Sequence, residues 1–225
     1  MPENSSVFDM IGPVMIGPSS SHTAGVVRIG RVANRIFGGT PVSAKITFYN
    51  SFARTFEGHG SDRAVIAGLL DYKTDDERIK KANAIAEEVG LSVEFKSVGN
   101  ALTMHPNTVK IEALVDGIPR SLVGESRGGG VIRIREVNGF DCNFTANSHT
   151  LVVEAKDVPG SIAFISSVIS RDDSNIATMT VSRKGKNEIA CQVIEMDSGI
   201  KPITLEYLRQ LDWVKNVLYI PDIDN

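Results

Sequence analysis

The sequence predicts an α/β (α+β) protein in two parts, a mixed α/β region over residues 1–147 and a βαββαβ unit over residues 148–225. Three observations lead there. Val26, Ile29, Ala33 and Ile36 recur at helical spacing and stop at Gly38-Gly39, while Ala44, Ile46 and Phe48 alternate with Lys45, Thr47 and Tyr49 as a half-buried strand does. Residues after 148 give strand, helix, strand, strand, helix, strand in close succession, an order that lets two helices cover one face of an antiparallel sheet. Between them the polar stretch Asn143 to Ser148 separates two hydrophobic patterns and places the boundary near Asn147.

In the first region a helix opens near Ser61-Asp62 and carries Val65, Leu69 and Leu70. Another starts at Asp75-Asp76, puts Ile79, Ala82, Ala86 and Val89 on one stripe, and ends at Gly90. Val93 to Val98, Val109 to Val115 and Val131 to Val137 are strand candidates. In the second region His149 to Lys156 reads as a strand, Asp157-Val158-Pro159-Gly160 as a turn, and Ser161 as the cap of a helix bearing Ile162, Ile165, Val168 and Ile169. Strands follow at Ile176 to Val181 and Ile189 to Met196, then a helix over Ile203 to Leu211 and a closing strand over Val214 to Ile220. This is the ferredoxin-like pattern.

A hydrophobic share of 42% with 23% charged residues fits a soluble globular protein. The net charge of −3 offers no basic footprint for nucleic acid. No run approaches the ~18 apolar residues of a membrane span. Met1 to Ser6 has no basic start leading into an apolar stretch, so no secretory leader is expected and the cytoplasm is the expected compartment. Cys142 and Cys191 are far apart and outside any Cys-x-x-Cys pair. A cubane iron–sulfur cluster takes about three or four thiolates. This chain is therefore expected to hold no metal of its own.

Chemistry concentrates in two polar segments. Gly17-Pro18-Ser19-Ser20-Ser21-His22-Thr23-Ala24-Gly25 precedes the first amphipathic helix, where hydroxyls and free N–H groups suit a carboxylate; plain capping by one serine explains the same residues. Glu57-Gly58-His59-Gly60-Ser61-Asp62 places a histidine between glycines, which permits close ligand approach or simply a flexible loop. His105-Pro106-Asn107 reads as a turn with a partly buried histidine. Gly128-Gly129-Gly130 lacks dinucleotide spacing and marks a tight turn or a close backbone approach.

In combination, the run from Gly12 to Gly25, then Ser51-Phe52-Ala53, Gly58-His59-Gly60-Ser61-Asp62, His105-Pro106-Asn107 and Gly128-Gly129-Gly130 resemble the β subunit of iron–sulfur L-serine dehydratases over essentially the whole chain. The chain departs at Arg127, where that family commonly has an apolar residue. The region from Val152 to Ile220 is similar to an ACT domain, with Asp157 to Gly160 as its first turn. The resemblance implies a lyase of amino-acid metabolism and gluconeogenesis that converts L-serine to pyruvate and ammonia. It also implies a [4Fe-4S] cluster ligated by a partner α subunit. His22 and His59 are then the catalytic candidates, and Ser20, Ser21, Thr23, His105 and Asn107 the substrate-binding ones. A homodimer through the ACT domain is implied, with an effector at Asp157, Pro159, Gly160 and Asn175. The alternative is a stand-alone ACT-type regulatory or assembly protein, which explains the second region and leaves the serine- and histidine-rich motifs idle.

Overall fold

The computed structural model describes residues 13–223; Gly12 of the serine-rich motif and the Met1 to Ser6 segment lie outside them. The chain divides between Asn138 and Gly139 into two compact units. The boundary expected near Asn147 falls one strand later.

The first unit places helices α1 (Gly25–Phe37), α2 (Asn50–Thr55), α3 (Ser61–Leu69) and α4 (Ala82–Glu88) with strands β1 (Ser43–Tyr49), β2 (Ser92–Val98), β3 (Thr108–Val115), β4 (Ile118–Gly128) and β5 (Val131–Val137). The strands lie in the order β2-β1-β3-β4-β5. β1 and β2 run parallel and the other pairs antiparallel. Phe48, Ile46, Ile111, Leu122, Ile132 and Ile134 are fully buried in the sheet and Ile29 and Ile36 in α1. Removing each such side chain from water is worth about 1.5–3 kcal/mol.

Glycines set how closely these layers approach. A Cβ on Gly68 would stand 2.2 Å from the Val27 carbonyl oxygen and 2.7 Å from Gly30 Cα, so α1 and α3 cross backbone to backbone. Arg31 and Arg35 both reach Asp71 from α1, at 3.2 and 2.6 Å, and Asn34 Nδ2 donates to Leu69 O at 2.7 Å. Gly38, left-handed at φ 78°, ends α1 at the expected place.

The expected helix after Asp76 begins as a 3-10 turn (Glu77–Lys81), because the Asp76 side chain accepts from Arg78 N before α4 takes over. Val89 lies beyond α4 and is 58% exposed, off the expected stripe. β4 was not anticipated: Pro119, Arg120, Ser121 and Gly124 hide its pattern. The Asp116-Gly117 turn before it, with φ of 50° and 77°, is the hairpin signal that reveals it.

The second unit opens with β6 (Phe140–Phe144), reached through the Asn138-Gly139 turn. Then come β7 (His149–Lys156), α5 (Ser161–Ser170), β8 (Ile176–Arg183), β9 (Ile189–Met196), α6 (Pro202–Arg209) and β10 (Val214–Ile220). The last six elements form the expected βαββαβ order, with an antiparallel sheet β10-β7-β9-β8. Leu151, Val153, Ile165, Ile169, Ile194 and Leu208 form its core. Gly160 (φ 85°), not Ser161, occupies the cap of α5, so left-handed glycine backbone rather than a serine hydroxyl turns the chain into the helix.

Candidate active site

The serine-rich motif forms a π-helical turn over Ser20–Ala24 that runs directly into α1. Ser19 caps it twice: its Oγ accepts from His22 N at 3.2 Å and its carbonyl accepts from Thr23 N at 2.8 Å. The His22 ring is held through Nδ1, which lies 3.0 Å from Ser21 Oγ and 3.3 Å from Ser19 Oγ. The expected plain cap therefore exists, at Ser19, and Ser21 joins it in orienting the histidine ring.

Two further segments lock this turn. Ser61, fully buried at the start of α3, donates to His22 O at 2.8 Å, and Thr23 Oγ1 donates to His59 O at 3.5 Å. On another side Gly129 N donates to Ser20 Oγ at 3.2 Å, while buried Arg28 donates from Nη1 to Gly130 O at 2.6 Å. Gly128, Gly129 and Gly130 all have positive φ, and a Cβ on Gly130 would meet Pro13 Cδ at 2.6 Å. The glycine loop is thus a close backbone approach. Gly25 serves likewise, since a Cβ there would fall 2.1 Å from Ser126 Oγ.

The rings of His22 and His59 stand 4.7 Å apart at 63°, and His22 contacts Phe52 edge-on at 4.9 Å. Burial first, and then the neighbouring His59, hold the His22 pKa below its ordinary value. Both effects disfavour the charged ring. Its Nε2 is buried and has no hydrogen-bond partner among the described residues, and neither has Ser126 Oγ. An imidazole with one nitrogen oriented by hydroxyls and the other unpartnered is suited, in its neutral form, to accepting a proton near neutrality.

His105 and Asn107 sit on the segment before β3. Asn107 N donates to His105 Nδ1 at 3.2 Å, and Asn107 O accepts from Ser126 N at 2.9 Å. This joins them to the α1 start through Ser126. Burial and the Arg127 cation lower the His105 pKa. Arg127 pairs with Glu125 at 2.6 Å. The segment is also tied to the His22 side, since Ser51 N donates to Pro106 O at 2.9 Å and the next residue is Phe52. Asn50 braces it with Nδ2 on Ala101 O and Met104 O at 3.0 and 3.1 Å, and with Oδ1 accepting from Ala101 N at 2.8 Å. Ser19 and Ser61 belong to the two polar motifs but carry roles that the sequence does not assign, and Asn50 and Arg28 lie outside every motif. Asn50 had a signal, a turn residue with left-handed tolerance between a strand and a helix; it stands at φ 51°.

In the second unit, Asp157 Oδ2 accepts from Arg183 Nη1 at 2.9 Å and from Asn187 N at 3.3 Å, and the Arg183 bond holds its pKa below the usual carboxylate range. Pro159 and Gly160 are exposed beside it. Asn175 donates to Asp197 Oδ2 at 2.8 Å. Within one chain the two do not meet. Asp157 follows the end of β7 beside the end of β8, whereas Asn175 precedes β8, about 23 Å away at ~3.3 Å per residue.

Neither cysteine suits a cluster. Burial pushes the Cys191 thiol up to about 12, with Glu154 adding to it, so it is no thiolate near pH 7; Cys142 lies on β6 in neither a disulfide nor a cysteine pair. No three His, Cys, Asp or Glu side chains gather as a metal site among the described residues. The residues of this chain do not fit a [4Fe-4S] cluster.

Residues 6–136 match the family described as serine dehydratase beta chain. The chain is similar to a probable L-serine dehydratase beta chain of Bacillus subtilis, 46% identical over 96% of this chain and 98% of that one. It is similar also to an L-serine dehydratase beta chain of Peptoniphilus asaccharolyticus, 35% identical over 88% and 89%. Among solved structures, the ACT domain from GTP pyrophosphokinase of Chlorobium tepidum matches 32% of this chain and 94% of that one, at 22% identity and a TM-score of 0.27. With the family match covering more than half of the chain and two relatives aligned over nearly their full lengths, this chain belongs to the serine dehydratase beta chain family.

Proposed function

We propose that this chain is the β subunit of a cytoplasmic two-subunit L-serine dehydratase, and that His22 and His59 are its catalytic groups. The observation that carries the reading is His22: oriented through Nδ1 by two serine hydroxyls, its pKa lowered by burial, with a buried Nε2 that has no partner among the described residues and the His59 ring beside it. The substrate class comes from the beta chains it resembles. The reaction removes the α proton and the β hydroxyl of L-serine as water, and hydrolysis of the resulting enamine gives pyruvate and ammonia. The histidine pair takes or returns the protons of that sequence. Ser20 still has its own O–H to donate after accepting from Gly129 N, so it and Thr23, with His105 and Asn107 from the neighbouring loop, contact the substrate. The [4Fe-4S] cluster belongs, in this reading, to the α subunit.

The second unit is the regulatory part, an ACT-type domain that pairs with a second copy and binds an amino acid. The unpaired edge of β8 invites that pairing. Two β8 edges meeting antiparallel bring Asp157, Pro159 and Gly160 of one copy towards Asn175 of the other, which reunites residues that stand apart in one chain.

The test is anaerobic purification of the chain alone and with its α partner, each assayed for pyruvate from L-serine. Turnover by the pair and none by the chain alone is expected; turnover by the isolated chain, or none by an assembled pair, overturns the reading.

A further inference from the structure

We infer that the β2 edge of the first unit is a docking surface for a second copy of this chain, paired antiparallel about a twofold axis at Phe95. The pairing is separate from the one proposed above at β8 and lies in the other unit. β2 ends its sheet, so one side of its backbone has no strand beside it among the described residues. Such an edge is a template for another strand, and proteins commonly blunt it with proline, a bulge or a lysine. Residues 92–98 contain no proline and pair with β1 in unbroken register. Lys96 alone would guard the edge. Glu94, two residues away on the same face, makes it half of a match instead.

The backbone decides which residues can pair. Ser92 N donates to Val42 O at 2.9 Å, towards β1. Backbone polar groups alternate sides along a strand, so those of Glu94 and Lys96 also turn to β1, and those of Val93, Phe95 and Ser97 point out of the sheet. A twofold axis at Phe95 lets Phe95 exchange N–H and C=O with its own copy, and lets Val93 exchange both with Ser97 of the second copy. The same register sets Glu94 opposite Lys96 on both sides of the axis. Sliding the strands by two residues either way keeps the backbone bonds but opposes Glu94 to Glu94 or Lys96 to Lys96, and like charges directly opposite are destabilising. Charge therefore selects the register centred on Phe95. In the free chain Glu94 and Lys96 meet only each other, at 3.3 Å, with side chains 63% and 50% exposed. A pair so exposed is worth little, so exchanging it for the second copy's charges costs little. On the opposite face the half-buried Phe95 ring ends an aromatic run, 5.9 Å from Phe56 and 6.1 Å from Phe48, which a second Phe95 would continue.

The experiment follows self-association of the full chain by sedimentation over a concentration series at low salt, for the wild type, Glu94→Lys, Lys96→Glu and the double reversal. Thermal melts of the four should coincide, because both side chains are exposed. Each single reversal opposes like charges on both sides of the axis and should weaken association about tenfold. The double reversal restores the match and should recover wild-type association. The β8 edge is the same in all four chains, so pairing there cannot produce this pattern. Equal association in all four overturns the inference, as does a double reversal as weak as the singles, or a wild type with no association step to lose. Single reversals that leave self-association intact but weaken binding of the α partner give the edge to that partner, and overturn the inference too.

Discussion

His22 and Asp157 occupy comparable places, each in the turn that leads into the first helix of its unit, yet their surroundings differ. Around His22 four serine hydroxyls and a glycine loop hold the turn and its ring, and Nε2 is left without a hydrogen-bond partner among the described residues. Around Asp157 the chain satisfies the carboxylate itself, through Arg183 and Asn187, at an exposed site. The first arrangement keeps a buried polar atom unsatisfied, which costs stability unless something binds there. The second costs nothing and demands nothing. The proposed division, chemistry in the first unit and adjustable binding in the second, rests on that contrast.

The sharpest way to break the contrast is to remove the ring. His22→Ala should lower pyruvate formation by the assembled pair roughly 10²–10⁴-fold, the range a positioned proton-transfer group contributes. Substituting Arg183 by Ala, its counterpart in the second unit, should leave basal turnover unchanged.

Packing differs between the units in the same sense. Gly68→Ala forces a Cβ to within 2.2 Å of a backbone carbonyl that cannot move aside, and should destabilise the chain by about 3 kcal/mol, read from chemical denaturation. Gly185→Ala in the second unit meets only the end of the Glu188 side chain, which can swing away, and should change stability little.

These contrasts also explain what was legible from sequence. Every element of the βαββαβ unit could be placed because its strands and helices carry strong apolar periods, as in Leu151, Val153 and Ile194 against Ile165 and Ile169. In the first unit α1 and β1 were as clear. β4 was not, because a strand that supplies Ser126, Gly128 and the neighbouring glycine loop to a site cannot also keep an alternating apolar pattern. The serine and histidine motifs could be found, but not their internal roles. Three serines in a row give no indication that Ser19 caps, Ser20 takes the glycine loop and Ser21 orients the ring, since those assignments depend on a π turn and on residues about 40 and 110 positions away in the chain. Nor does sequence spacing reveal that Asp157 and Asn175 stand at opposite ends of one sheet.

The depressed His22 pKa has a pH consequence with a definite sign. Its folded pKa lies below the unfolded value of about 6.5, so its stabilising contribution is complete above that pH and is lost as pH falls through the lowered value. Denaturation midpoints at pH 7.5 and 5.5 should therefore differ less in His22→Gln than in the wild type. A smaller effect is expected of Arg183→Ala on stability. Its bond to Asp157 is exposed and screened, so the melting temperature should not move, while any amino-acid response of the second unit should change because the Asp157 carboxylate is released.

Chemical rescue tests most directly whether the His22 ring handles a proton of the reaction. In the anaerobic pair carrying His22→Ala, added imidazole should restore part of the lost pyruvate formation, and more at pH 7.5 than at pH 6, where less imidazole is unprotonated. A His22→Ala pair that forms pyruvate at the wild-type rate without imidazole would contradict the account.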